Sequence, residues 1–463
     1  MNRYKKLMTN TFIIGIGTFS SKVLVFLMMP LYTRLMTNSD YGIADLLLQT
    51  SNLLLPLASL GITDAVVRFG LEKSEDKSDV FSTGVITTIC GFLMLLLFAP
   101  LLNKVKFISG HTMLVYAFVL MSSLRSLCSQ FVRARQMIKL YALDGLLSTA
   151  STLGITILLL AVMHLGVTGY ILAIVIADAC SAVFLFLAAR LHRYIRFKGI
   201  KRDTVFSMIR YSLPLIPTSV LWWVTNVSDR YLVSYMVGSG ANGLYAVSYK
   251  IPTLIILISG IFIDAWQLSA VMESSARERF FTRVFDAYQS IIFLAAACII
   301  PLSKVFTRLL VSNSFYLSWR YIPFLVMATS FSCFVTFLGS IYMVKKKSVM
   351  TMITTVAAAG MNIGLNFVLI PIYGADGAAF STFISYFTVF IIRAFHTRSL
   401  IKIEWNVFKQ VVNTLLLLAQ CLVMIGEMKH WILYEALMVA LMIALNAPII
   451  LGFSKQLFRE KLA

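Results

Sequence analysis

Three cations, Lys22, Arg230 and Lys250, lie in stretches of sequence that are otherwise almost wholly apolar. Lys22 follows Lys6 by sixteen residues, roughly 24 Å along a helix and well inside a bilayer. Arg230 precedes Gly238 by eight residues and Lys250 follows Gly243 by seven. At ~1.5 Å per residue both come roughly 10–12 Å below the turn between those glycines, on neighbouring helices at matched depth. Two cations so placed repel unless an anion lies between them. Asp229 supplies that anion in one reading, and a bound anionic ligand supplies it in the other. If the three cations share a cleft, its low-dielectric walls strengthen charge-assisted hydrogen bonds to phosphate groups. A carboxylate-dominated cavity, suited to cationic compounds, is the opposite pattern.

An ionisable group in a membrane span costs about 2.5–3.5 kcal/mol on insertion scales, so it faces a partner or a water-filled cavity. Asp144, Asp178, Asp264 and Arg125 lie near span ends or can pair locally, and plain pairing or snorkelling is the simpler account of them. Asp45, Asp178 and Asp229 are the carboxylates that could couple transport to H+ or Na+, and the sequence does not choose among them. No cofactor is expected. The six cysteines sit inside apolar runs without a C-x-x-C pair, and the five histidines are dispersed without H-E-x-x-H spacing, so neither a disulfide framework nor a metal site is expected. A Gly-rich phosphate loop and paired acidic residues on a soluble segment are also lacking.

The elements that must position these residues are membrane helices. Of 463 residues, 59% are hydrophobic and 13% charged, against roughly 25% charged in soluble domains. The apolar residues come in runs of about 20, the length a helix needs to cross ~30 Å of hydrocarbon. Spans are expected near 10–33, 41–62, 80–102, 112–132, 141–163, 168–189, 207–237, 244–266, 284–303, 321–344, 349–370, 377–397, 407–426 and 431–453, about fourteen in all. The fold class is all-α and polytopic, with two six-helix lobes plus two extra helices. The first run is too long for a cleaved signal and is expected to be retained. The net charge of +20 follows from topology rather than nucleic-acid binding. Of the 40 Lys and Arg, 27 fall in the alternate segments that include the N-terminus, which places both termini in the cytoplasm.

The chain repeats itself. Gly166-Val167-Thr168-Gly169 and Gly374-Ala375-Asp376-Gly377 are short turns 208 residues apart, and the same offset carries Lys139 onto Lys347. An N-lobe of residues 1–190, a linker of 191–205 and a C-lobe of 206–400 are expected, with 401–463 holding the last two helices and tail. Such parallel repeats are one transporter architecture. Pro30, Pro214, Pro217 and Pro252, with Pro56, concentrate on spans 1, 2, 7 and 8, where they favour kinks and read as hinges.

Several segments resemble the polysaccharide-transport, Wzx-type oligosaccharide flippases. They are Tyr211-Ser212-Leu213-Pro214-Leu215-Ile216-Pro217, Trp222-Trp223, Ser228-Asp229-Arg230-Tyr231, and the run from Gly243 through Tyr245, Tyr249 and Lys250 to Pro252. Trp319-Arg320-Tyr321-Ile322-Pro323-Phe324, Ile370-Pro371-Ile372-Tyr373-Gly374, Pro30-Leu31-Tyr32-Thr33-Arg34 and Tyr41-Gly42-Ile43-Ala44-Asp45 fit as well. The resemblance implies membership of the superfamily that also holds lipid II flippases and multidrug exporters. It implies an undecaprenyl-diphosphate-linked oligosaccharide as cargo, moved from the cytoplasmic to the outer leaflet of the bacterial inner membrane by alternating access. Partners would be the lipid-linked oligosaccharide, membrane lipids and other polysaccharide-assembly membrane proteins. Lys22 and Lys250, with Arg34, match by helix the cationic positions that serve the diphosphate in the lipid II relatives, although the second helix here offers Asp45 and no arginine; Arg230 joins them as a diphosphate candidate by its depth alone. A cation-coupled multidrug exporter, a lipid II flippase and a polytopic glycosyltransferase or polymerase are the rival readings. The last lacks the sizeable external loop it would need.

Overall fold

The computed structural model describes residues 26, 28–72, 74–196, 198–272, 277–345, 347–402, 404 and 406–462. Among them there is no strand, and eleven helices are long and apolar enough to cross a membrane. A twelfth span arises if the bent pair α2 (Asn38–Ala58) and α3 (Ile62–Leu71) counts as one, their axes differing by 53°. The expected first span lies outside the described residues as far as residue 25. The expected seventh is two helices, α9 (Arg202–Ser212) and α10 (Leu215–Met236). Thr218, Ser219, Thr225, Asn226, Ser228, Asp229 and Arg230 make α10 more polar than an ordinary span. With the seventh added, thirteen of the fourteen expected spans have counterparts among the described residues.

Local chemistry fixes the helix ends. Thr37 caps α2 by accepting from the Asp40 N–H at 3.1 Å, and Asp76 caps α4 (Lys77–Leu96) by accepting from Ser78 N–H at 2.9 Å. Each side chain satisfies a donor that the first helical turn leaves open. Four of the prolines lie at helix starts or breaks, whereas Pro56 stays inside α2. Pro30 lies in the first turn of α1 (Met29–Leu35), Pro214 in the break before α10, Pro217 in that helix's first turn, and Pro252 in the break at 249–252. That break divides the expected eighth span into α11 (Ser239–Ser248) and α12 (Thr253–Met272). A helix start needs no N–H from proline, whereas a helix interior does.

Contacts divide the chain into two compact units, Met1–Val227 and Ser228–Ala463. The boundary falls within α10, so residues 191–205 belong wholly to the first unit. That unit also holds α5 (Ala99–Leu102), α6 (Thr112–Ala134), α7 (Ile138–Thr156) with a wider turn to Val162, and α8 (Gly166–Ala188). Its core gathers Ile62, Val66, Phe81, Leu127, Phe131 and Met208, all buried.

The second unit continues with α13 (Arg277–Leu310), a short turn of helix over Asn313–Tyr321, and α14 (Ile322–Val344). It ends with α15 (Ser348–Tyr373), α16 (Ala375–Arg398), α17 (Val407–Ile425) and α18 (Trp431–Leu462). Its core is aromatic: Trp266 stacks on Phe337 with ring centres 4.6 Å apart, and Phe331 meets Phe334 and Phe390 within 5.5 Å. The last two helices are tied to α13 by polar contacts that recur every seven residues along it. Ser290 Oγ accepts from Lys409 at 2.7 Å, the Ala297 carbonyl from Gln420 at 3.1 Å, and Lys304 pairs with Glu427 at 2.8 Å. Asn413 and Asn446 exchange amide hydrogen bonds at 3.0 and 3.2 Å between α17 and α18. Within hydrocarbon, where apolar contact gives helices no preference over lipid, such bonds supply the preference.

The 208-residue offset has a local structural counterpart. Gly166 and Gly374 both have positive φ, +51° and +60°, and each stands at the start of a helix, α8 and α16. A Cβ on Gly169 would come 3.2 Å from the Leu159 carbonyl oxygen, and one on Gly377 would overlap that of Leu369. In both turns glycine lets a helix return close against the backbone it has just left.

Candidate functional site

Asp229 is the most elaborately held of the charges singled out in the sequence. It lies on α10 in the second unit and is 1% exposed. Its Oδ2 accepts from the hydroxyls of Tyr245 at 2.8 Å, Tyr249 at 2.5 Å and Thr382 at 3.2 Å, and its Oδ1 from the Arg230 N–H at 2.9 Å. Thr382, on α16, in turn accepts from the Asn362 amide at 3.2 Å, and Asn362 Oδ1 accepts from Asn366 at 2.9 Å, both on α15. The carboxylate thus joins α10, α11 and α16 through hydroxyl groups, with an amide pair behind them. This is a set of hard oxygen atoms, suited to H+ or Na+ and ill suited to soft metals.

Arg230 turns the other way. Its guanidinium lies over the Tyr249 ring, 4.5 Å from the centre, a cation–π contact that uses the ring face while the hydroxyl serves Asp229. Lys250 is the next residue, at the break that follows α11, and both cations are half-buried. Arg230 thus sits on α10, and Lys250 just beyond the end of α11, the next helix in the chain.

In the first unit Asp178 is drawn into an ion-pair network. Arg125, on α6, pairs with it at 2.8 Å and reaches Asp144 at 3.7 Å. Arg125 Nε donates to Ser181 Oγ at 3.0 Å, Ser181 donates to Asp144, and Ser122 donates to Asp178. Asp144 and Asp178 are buried, so one arginine and two serines compensate two carboxylates across α6, α7 and α8. This is the local pairing that the sequence offered as the simpler account, and it gives Asp178 a packing role. Asp45 is buried on α2, with Gln49 Nε2 3.5 Å from its Oδ1. Arg34 is exposed in the last turn of α1. Lys22 and the Asp264 side chain lie outside the described residues. Asn362, Thr382, Tyr245 and Tyr249 were not singled out by sequence reasoning, because lone hydroxyls and amides in apolar runs carry no spacing signal.

Among the described residues no group of three His, Cys, Asp or Glu could hold a metal ion. A family model described as polysaccharide biosynthesis protein matches residues 7–266. The chain belongs to that family. The fold agrees with the assignment. The structure of the lipid II flippase MurJ in an inward closed conformation is similar over 98% of this chain and 100% of that one, with TM-score 0.71 and 14% identity. An outward-facing multidrug resistance MATE family transporter of the MOP superfamily is similar over 84% of this chain and 93% of its own, with TM-score 0.58 and 13% identity. A MOP superfamily transporter from Pyrococcus furiosus, described as having a binding pocket of reverse polarity, follows at TM-score 0.55 and 12% identity over 84% and 95%. A sequence search of curated proteins finds no match. The family is thus that of polysaccharide biosynthesis proteins, and the fold is one shared with solved lipid and multidrug transporters.

Proposed function

We propose that this protein flips an undecaprenyl-diphosphate-linked oligosaccharide repeat unit from the cytoplasmic to the outer leaflet of the bacterial inner membrane. The product would feed cell-surface polysaccharide such as O-antigen, capsule or exopolysaccharide. The observation that carries the reading is the polysaccharide biosynthesis match on a chain whose whole length takes the fold of a lipid flippase. Both termini are cytoplasmic in this account, following the basic residues.

The mechanism is alternating access. Lys250 and Arg230, with Lys22 and Arg34, serve the diphosphate, while the polyprenyl tail stays in lipid. Bending at the breaks marked by Pro214, Pro217 and Pro252, and at Pro30, changes which side is open. An inside-negative potential drives the anion outward by ~2.3 kcal/mol per charge per 100 mV. Asp229, held between α10, α11 and α16, is the coupling carboxylate for H+ or Na+. Asp45 is the second choice, and Asp178 is third because Arg125 already neutralises it.

The test places two substrates before one preparation. Proteoliposomes are loaded with an undecaprenyl-diphosphate-linked oligosaccharide and, in parallel, with ethidium as a cationic drug. Leaflet transfer of the saccharide lipid that is lost in Lys22→Ala and Lys250→Ala, without ethidium movement, supports the reading. Ethidium movement without saccharide transfer assigns the protein to the drug exporters instead.

A further inference from the structure

We infer that a pocket within the first unit, whose described lining includes neither the Asp229 cluster nor the Arg125 network, seats one sugar residue of the cargo. The inference rests on the flippase reading and adds to it where the saccharide is recognised. The cavity holds about 300 Å³, at the small end of the ~300–1,000 Å³ typical of ligand sites. That is room for a single ring and too little for an oligosaccharide.

Its lining is unlike that of a diphosphate site. Asn52, Ser59, Thr63, Ser123, Ser126 and Ser219 face it together with Asp64 and Trp223, beside apolar residues such as Leu53 and Leu215, and among the described residues no Lys, Arg or His lines it. Hydroxyls and amides both donate and accept, which is the pairing that sugar hydroxyls require. A carboxylate accepts from two hydroxyls at once and would repel phosphate. Ser123 Oγ is an independent sign. The residue is 2% exposed, and its hydroxyl has no hydrogen-bond partner among the described residues. Buried hydroxyls are nearly always paired, so one that is not, at the wall of a cavity, points to a partner from outside the chain.

The ring that would pack against the sugar is fixed in place. Trp223 Nε1 donates to the Gln49 carbonyl at 2.8 Å, which anchors the indole at the pocket wall. The cavity lies where α2 breaks into α3, at Gly61, whose φ of +64° suits glycine and makes the 53° bend. A Cβ there would sit 3.1 Å from the Ser212 carbonyl oxygen, so α9 closes against the bend. Under the orientation set by the basic residues, this end of α3, which runs on to Arg68, is the cytoplasmic one. The pocket therefore belongs to the half of the membrane from which a lipid-linked saccharide would be loaded.

The experiment measures equilibrium binding to the full chain in nanodiscs. The probes are undecaprenyl diphosphate and the same lipid carrying N-acetylglucosamine or galactose. Wild type is expected to bind at least one sugar-bearing lipid about tenfold more tightly than the bare lipid, equivalent to ~1.4 kcal/mol. Ser123→Ala and Trp223→Leu should erase that preference without weakening the bare lipid, and Ser126→Phe should do so by filling the cavity. Lys250→Ala should weaken all three lipids alike. Each variant is checked for wild-type thermal unfolding, and the three pocket variants fail differently if one misfolds. A wild type without preference, or pocket variants that keep it, overturns the pocket and leaves the flippase reading standing. A wild type that binds none of the lipids overturns that reading and the pocket with it.

Discussion

Replacing Asp229 removes the acceptor shared by three helices, and its cost can be worked from the geometry. Three interhelical hydroxyls, from Tyr245, Tyr249 and Thr382, end on Oδ2. Side-chain hydrogen bonds between membrane helices average ~0.6 kcal/mol, which gives a floor of about 2 kcal/mol for the set. Bonds to a charged acceptor are stronger, ~1.5–3 kcal/mol each, although the three hydroxyls share one oxygen and cannot each contribute in full. Asp229→Ala should therefore destabilise the second unit by about 2–5 kcal/mol. Asp229→Asn keeps an oxygen and the side-chain volume, and should lose about half as much. Unfolding in mixed micelles measures both, and a double-mutant cycle with Tyr249→Phe isolates the shared bond. The carboxylate's joining role is refuted if Asp229→Ala loses less than about 1 kcal/mol, or if Asn is as costly as Ala.

Three further outcomes are expected. Gly377→Ala should destabilise the α15–α16 turn by ~1–3 kcal/mol, because its Cβ would overlap the Leu369 carbonyl; Gly169→Ala, with a 3.2 Å approach, should cost less, and thermal unfolding ranks the two. Asn413→Leu leaves the buried Asn446 amide without its reciprocal partner and should cost roughly 0.6–1.7 kcal/mol, a loss that Asn446→Leu made in the same chain should partly restore. The Lys304 hydrogen bond, and then its charge, hold the Glu427 carboxyl below the usual carboxylate range. A lowered pKa gives stability that is full above the unfolded value of ~4.3 and lost as pH falls through the folded one. A pH series of melting temperatures should therefore converge for wild type and Glu427→Gln in acid, with only a small gap at neutral pH because the glutamate is exposed.

Apolar runs of span length and the asymmetry of the basic residues made the helices legible, because a bilayer imposes both on sequence. The placement of Arg230 and Lys250 on either side of one turn was legible for the same reason, since helical rise converts residue counts to distance. What surrounds Asp229 was not. Thr382 is 153 residues away in sequence, and only packing brings it there. Pro30, Pro214, Pro217 and Pro252 were read as kinks within spans and lie at helix starts or breaks, whereas Pro56 does lie inside a helix. A hydropathy window passes over a four-residue break such as 249–252 without registering it. Asp178, Asp144 and Arg125 were legible as charges able to pair locally, and the register of α6 against α8 decides which of them meet.

The most direct measurement is the initial rate at which an undecaprenyl-diphosphate-linked oligosaccharide crosses between leaflets of vesicles containing the purified protein. Protein-free vesicles serve as the baseline, and the potential is set by a potassium gradient. The account expects transfer well above baseline, faster when the potential favours movement of the anion and slowed by Lys250→Ala. Transfer at the protein-free rate under every potential would contradict it.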